Sequence, residues 1–349
     1  MNETVLEIKD LRVSFRMQGG LGKAVRGVDL TLKKGETLAI VGESGSGKSV
    51  LSKAVMGLLA PNAKIESGEI FYGGKNLLSL KEKELCRVRG AKIAMIFQDP
   101  FSSLNPIMRI GKQIVEAMRL RGEKISAGEA KKRAVKLMEE VGIERAEERF
   151  YRYPFEFSGG MRQRIVIAIA LAGDPEVLIC DEPTTALDVS VQAQILELIN
   201  RLKEERGLSV IFITHDLGVV ASVADTVAVM YAGKIVEYGT TEEIYFQPKH
   251  PYTWALLSSV PDLQTKGKLS AIEGAPPDIL SEMKGDAFAP RNPYAMKIDF
   301  EKEPPFFKVS DTHFAATWLL HEDAPKAEMP KILKDRIARM KRARKKNDG

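Results

Sequence analysis

The 349-residue chain sets 52 Lys and Arg against 47 Asp and Glu, a formal net charge of +5, in an otherwise ordinary globular composition. That length accommodates one large α/β domain with a smaller appendage, and a core that needs no cross-links. Two cysteines far apart in sequence, Cys86 and Cys180, exclude a disulfide framework and a thiolate-ligated metal site and fit a reducing compartment; residues 1–10 interleave charges with Val5, Leu6 and Ile8, so no apolar signal core is expected, and no run of about 18 apolar residues crosses a membrane.

In chain order, residues 4–15 and 25–32 alternate apolar and polar positions, with Val28, Leu30 and Leu32 on one side, as half-buried antiparallel strands do. The Gly-rich stretch 17–23 between them is expected to be a loop. Phe15 stands at its edge, either as a core aromatic or as a face on which adenine stacks.

An apolar run, Thr37–Val41, then leads into Gly42-Glu43-Ser44-Gly45-Ser46-Gly47-Lys48-Ser49 and a helix-like stretch beginning at Val50 and running to 59. This G-x-x-x-x-G-K-S spacing is that of a phosphate cradle. Its glycines let backbone N–H groups curl round an anion, and the following helix presents its positive dipole end to the same point. Lys48 is expected to reach the β- and γ-phosphates and the Ser49 hydroxyl to hold Mg²⁺. A plain Gly/Ser connection is the competing reading, weakened by the strand and helix standing where the motif needs them.

Residues 67–75 are strand and turn material, and the apolar run 92–97 ends at Gln98. From 99 to 157 the character changes: Ile110, Ile114, Val115, Met118, Val135, Leu137, Met138 and Val141 recur at helical spacing among many charges, which predicts a helical insert. Ser158-Gly159-Gly160 then opens an apolar helix over 165–171, a second anion-friendly helix start. On its own that turn is a helix cap with Ser158 as the capping residue.

The run Val177-Leu178-Ile179-Cys180 is that of a buried parallel strand and ends in Asp181-Glu182. Carboxylates at that end of a strand lie where α/β sheets bind ligands. Asp181 would support Mg²⁺ through water and Glu182 would polarise the attacking water; the alternative is an acidic start to the next helix, near 190–202. Ala186-Leu187-Asp188 follows in a turn, and the apolar run 210–214 delivers His215, placed either to donate to a γ-phosphate oxygen or to cap the core edge. Residues 227–231 and 234–238, joined at Ala232-Gly233, predict a hairpin that closes the domain. In residues 331–349 basic side chains crowd together, Lys331, Lys334, Arg336 and Arg339 among them. This is expected to be a solvated helix or frayed end, with anionic-membrane contact as a lesser reading and nucleic-acid binding not expected.

The order of these motifs resembles the ATP-binding subunits of ABC transporters over roughly residues 4–245. In that resemblance Gly42 to Ser49 are the Walker A loop, Val50 begins its helix, and Gln98 is the Q-loop residue. Ser158, Gly159 and Gly160 open the signature sequence, Asp181 and Glu182 end Walker B, Asp188 belongs to the D-loop and His215 is the switch histidine. Met161 departs from the usual glutamine. It implies a P-loop NTPase core of mainly parallel sheet with an antiparallel β subdomain, a helical insert at about 99–157, and ATP with Mg²⁺ (Ser49, Gln98 and Asp181) as cofactors. Lys48, Gln98, Glu182 and His215 are the implied catalytic set; Phe15 and the loop residues, with Ser158, Gly159, Gly160 and Asp188 lent by an opposed cassette, are the implied nucleotide-binding set.

Residues 247–253, Gln-Pro-Lys-His-Pro-Tyr-Thr, and the Pro-rich stretch after them resemble the oligopeptide/dipeptide importer ATPases, with an irregular C-terminal extension over 246–330 and a basic tail over 331–349. The Gly-Lys-Ser-Val start of the cradle helix resembles their D-type subunit. The resemblance implies two membrane-spanning permease subunits, a second ATPase subunit (an F-type chain, otherwise a second copy), an extracellular solute-binding protein, and a place on the cytoplasmic face of the membrane. A soluble ABC-type ATPase acting on ribosomes or DNA is the alternative, disfavoured by the single cassette and short insert. Relatives commonly hold an iron–sulfur cluster through four cysteines, but the corresponding positions here are Asp286, Asn292, Asp299 and Thr317. None supplies a thiolate, so no cluster is expected; a hard cation between Asp286 and Asp299 is a lesser alternative to a solvated loop.

Overall fold

A computed structural model describes residues 3–119, 122, 125–185, 187–260 and 272–347, the last five of these without their side chains. The expectations for Ala186 and for the final basic side chains lie outside the described residues. Strands β1 (Thr4–Met17) and β2 (Gly20–Lys33) form a hairpin in which Met17 faces Gly20. The chain thus turns only at Gln18-Gly19, and residues 20–23, expected as loop, are strand. Positive φ at Gly19 and Gly20 permits so tight a reversal. After β3 (Thr37–Val41) and α1 (Lys48–Val55) come β4 (Ala63–Tyr72) and β5 (Lys75–Asn76), which complete a four-stranded sheet of order β2-β1-β4-β5. The cradle helix is shorter than its apolar pattern predicts, because Gly57 takes a positive φ and ends it.

Next, α2 (Glu82–Val88) and β6 (Ile93–Ile96) lead into α3 (Pro100–Ser103), α4 (Ile110–Met118), α5 (Ala127–Glu140) and α6 (Ala146–Arg149), which occupy the stretch read as a helical insert. The chain returns through α7 (Gly159–Leu171), β7 (Val177–Asp181), α8 (Val189–Arg206), β8 (Ser209–Thr214), α9 (Leu217–Val220), β9 (Thr226–Tyr231), β10 (Lys234–Thr240) and α10 (Thr241–Phe246). Beyond lie α11 (Pro251–Ser259), α12 (Lys297–Glu301), β11 (Phe307–Lys308), β12 (Phe314–Ala315) and α13 (Lys331–Asn347).

The eight-stranded sheet runs β11-β12-β10-β9-β3-β8-β7-β6, parallel from β9 to β6 and antiparallel beyond. Every residue of β3, β7 and β8 is buried, as expected of strands covered on both faces. Their alternation sorts the core. Leu38, Ile40, Ile179 and Ile213 point toward the four-stranded sheet, while Leu178, Cys180 and Phe212 point toward α4, α5, α7 and α8.

The β9–β10 hairpin does not close the domain. Strand β12 pairs with β10, Glu237 facing Ala315 and Tyr238 facing Phe314. Ala39 and Val41 of β3 share a core with Tyr252, Phe288, Leu333 and Ile337 from beyond residue 245. Sheet and core therefore run through the expected boundary, and the extension carries more regular structure than its Pro-rich composition predicts. Among the described residues no helix is long and apolar enough to cross a membrane.

Candidate active site

The cradle loop hangs between the end of β3 and the start of α1, and two of its glycines, Gly42 and Gly47, stand where nothing larger fits. A Cβ on Gly42 would overlap the carbonyl oxygen of Met230, and one on Gly47 that of Ala24, with positive φ at both. Lys48 is buried, its Nζ donating to the carbonyls of Gly42 (2.8 Å) and Glu43 (2.9 Å) and to Ser46 Oγ (3.4 Å). Burial lowers its pKa from the ordinary lysine value, opposed by the carboxylates of Glu182, Asp181 and Glu43.

At the end of β7, Asp181 accepts from Ser49 Oγ at 2.8 Å and from Ser52 Oγ at 3.4 Å. Burial raises its pKa, the Ser49 bond opposes this, and the neighbouring Glu182 adds to it. Ser49, Gln98 and Asp181 line one cavity of about 510 Å³ together with Lys53, Phe97, Asp99, Ser102 and Ser103, and of these only Ser49, Gln98 and Asp181 are candidate ligands. The donor set is all oxygen, hard and partly anionic, which fits Mg²⁺.

Glu182 sits one residue past β7 with φ 49°, a left-handed conformation rare for a residue with a side chain. Its N–H is tied to the carbonyl of Ile213 at 2.9 Å, which fixes it against the end of β8. Three groups converge on Glu182 Oε2: Gln98 Nε2 at 3.2 Å, Thr185 Oγ1 at 2.8 Å and His215 Nδ1 at 3.2 Å. The residues after β6, β7 and β8 thus meet at one oxygen, as expected where strand ends form a ligand crevice.

A cavity of about 780 Å³ opens above these groups. Phe15, Glu43, Ser44, Gly45, Gly47, Lys48, Ser49, Val50, Gln98, Glu182 and His215 all line it. Gly42 and Ser46 lie in the same loop but outside that lining, and Asp181 borders the adjacent cavity. Ser158, Gly159, Gly160 and Asp188 are absent from both linings. Ser158 Oγ caps α7, accepting from Met161 N at 3.4 Å, and Asp188 precedes α8 without a side-chain cap. These two helix starts pack together, since a Cβ on Gly160 would stand 2.6 Å from Val191 Cγ1.

Several contributors carry no motif. Ser52 and Thr185 have been described. Tyr252 accepts from Glu43 N at 2.8 Å, and Arg291 forks the Glu43 carboxylate at 2.6 and 2.9 Å. That pairing raises the guanidinium's pKa above its already high ordinary value. Ser52, Tyr252 and Arg291 lie in stretches that stand out in the sequence, but nothing there gives their roles, and Thr185 has no such mark. The four side chains at the cluster-cysteine positions each accept from a nearby main-chain N–H: Asp286 from Phe288 (3.0 Å), Asn292 from Tyr294 (2.9 Å), Asp299 from Met296 (2.6 Å) and Thr317 from Leu319 (3.3 Å). Oxygen acceptors committed to turns do not fit iron that takes thiolates. Among the described residues no group of three or more His, Cys, Asp or Glu is arranged to hold a metal ion.

Residues 25–185 match the family described as ABC transporter, and residues 236–298 match the oligopeptide/dipeptide transporter C-terminal region. The chain is 60% identical to the oligopeptide transport ATP-binding protein OppD of Bacillus subtilis (strain 168), covering 96% of this chain and 94% of that one. It is 59% identical to the dipeptide transport ATP-binding protein DppD of Lactococcus lactis subsp. cremoris, covering 93% of each. Among solved structures it is similar to the ATP-binding cassette MJ0796 in a dimeric post-hydrolysis state bound to ADP and Pi. The TM-score is 0.61 with 28% identity, over 68% of this chain and 98% of that one.

Proposed function

The chain belongs to the oligopeptide/dipeptide family of ABC transporter ATP-binding subunits, an ATPase that drives transport, and from that premise we propose how its site works and what it serves. The carrying observation is the convergence of Gln98, Thr185 and His215 on Glu182 Oε2, beside a cradle that holds Lys48. The loop N–H groups and Lys48 bind the β- and γ-phosphates, and Phe15 stacks the base. Ser49, with Gln98 and with Asp181 through water, would hold Mg²⁺, which would supply charge neutralisation on the phosphate oxygens. Glu182 accepts a proton from the attacking water, while His215 and Gln98 hold its carboxylate and orient that water. Hydrolysis thus rests on positioning and charge stabilisation more than on covalent chemistry.

Ser158, Gly159, Gly160 and Asp188 serve the nucleotide of a second cassette facing this one head to tail. Their absence from this chain's own cavity supports that reading, as does the dimeric state named for the MJ0796 cassette. The second ATPase is an F-type chain, otherwise another copy. Both dock on two membrane-spanning permease subunits at the cytoplasmic face, and an extracellular solute-binding protein selects the cargo. The cargo is a peptide, as the names of the relatives say of them. Those names are of transport proteins and give the ribosome- or DNA-acting alternative no support; no nucleic-acid partner is proposed.

Glu182→Gln is expected to bind ATP normally and to lose hydrolysis by roughly 10²- to 10⁴-fold. Near wild-type turnover would remove Glu182 from the role of base. Lys48→Ala is expected to lose nucleotide affinity, and unchanged binding would overturn the cradle assignment. The extension holds no iron–sulfur cluster in this reading; stoichiometric iron with broad visible absorption in anaerobically purified protein would overturn that.

A further inference from the structure

Arg291 does more than pair with Glu43. Its side chain is only 5% exposed, and its donors reach three segments, one of them β9 through Tyr231 Oη at 3.2 Å. Nη1 and Nη2 hold the two carboxylate oxygens of Glu43, in the phosphate cradle, at 2.6 and 2.9 Å. Nε donates to the carbonyl of Glu273 at 2.9 Å and Nη2 also to that of Ile272 at 3.4 Å. One planar cation therefore ties the cradle to the start of segment 272–280, a use of the guanidinium fork that lysine cannot reproduce.

That segment reaches the nucleotide cavity, which Ile272 and Ile279 line beside Phe15. Lys23 N donates to the carbonyl of Ile279 at 3.1 Å, and a Cβ on Gly22 would stand 3.1 Å from Ile279 Cγ2. Gly22 is the cross-strand partner of Phe15. Ile279 is thus seated at the same end of the cavity as the ring assigned to the base, on a strand whose glycine leaves room for it.

We propose that the C-terminal extension builds the base end of this chain's own nucleotide site: Ile272 and Ile279 flank the purine on Phe15, and Arg291 is the positioning residue that ties their segment to the phosphate cradle. The inference rests on the Mg-ATP reading above and adds a second apolar surface for the base. A cassette ending after β10 lacks that surface.

The test uses the full chain and two probes, Mg-ATP and Mg-tripolyphosphate, which share a phosphate chain and differ in the base. Ile279→Ser is expected to weaken ATP binding roughly 5- to 20-fold through lost apolar contact and to leave tripolyphosphate binding unchanged. Equal weakening of both probes, or no change for ATP, overturns the proposal. Arg291→Met is expected to weaken both probes, since it frees the Glu43 carboxylate near the phosphates as well as releasing the segment. Adding Glu43→Gln to Arg291→Met should recover tripolyphosphate binding while ATP remains several-fold weaker; full recovery of ATP overturns the positioning role. If Arg291→Met does not fold, as judged by melting without ligand, Ile279→Ser carries the test. Lys48→Ala serves as the reference: its loss of both probes keeps the phosphate reading intact, so a failure confined to Ile279 and Arg291 falls on this inference alone.

Discussion

Asp286 is a carboxylate held where burial works against its charge. Burial pushes its pKa from 3.8 up to about 6; a bond from the Phe288 N–H opposes this, and Asp299 and Glu303 add to it. The sign follows from which state gives up its proton first. Below about pH 4 the carboxyl is protonated in both states; between about 4 and 6 only the unfolded chain has ionised; above 6 the folded chain carries a charge that costs roughly 3 kcal/mol. Asp286→Asn keeps the acceptor for Phe288 and removes the charge. It is expected to melt at higher temperature than the parent at pH 8, with the gain vanishing near pH 4; equal melting at pH 8 would contradict the assignment. The sequence reading recognised that Asp286, Asn292, Asp299 and Thr317 lack sulfur but not what they do instead. A side chain that caps a main-chain N–H two or three residues away has no signature apart from the turn it closes. Glu182, Lys48 and His215 were visible through their spacing, whereas Thr185, which bonds Glu182, and Ser52, which bonds Asp181, were not.

Strands β3, β7 and β8 were legible because both of their faces are covered, so an unbroken apolar run is their signature. Residues 20–23 were not: Gly20 serves the tight turn with a positive φ, and Gly22 makes room on the strand for Ile279. The two-residue strands β11 and β12 are too short to show any period, yet they cover the edge of β10. They also bring in His313, whose Nε2 lies 2.8 Å from Oε1 of the fully buried Glu237. A chain shortened to end at residue 305 is therefore expected to expose a sheet edge and leave a buried carboxylate short of a partner. Calorimetry should show loss of the single cooperative transition, and size-exclusion chromatography should show association; a monomer melting like the parent would show that β11 and β12 are dispensable.

At the level of the whole molecule, a boundary near residue 245 looked natural because the motifs end there and the composition turns Pro-rich. Apolar residues at 252, 288, 333 and 337 carry no mark of the strand they will cover, and they complete the core behind β3. The link from Arg291 to Glu43 spans 248 positions, beyond the reach of any periodicity. What local pattern could convey was the set of groups around one nucleotide; what it could not was that the segments beyond 245 are part of the same body. The sheet topology also has a consequence in time. Strand β10 ends at Thr240 and its partner β12 begins at Phe314, so 73 residues are synthesised between an edge and its cover. At about 5–20 residues per second that interval lasts roughly 4–15 s. Throughout it the nascent chain presents an unpaired strand, and its vulnerability to pairing with a neighbouring chain is set by the pace of the ribosome more than by the stability of the finished fold.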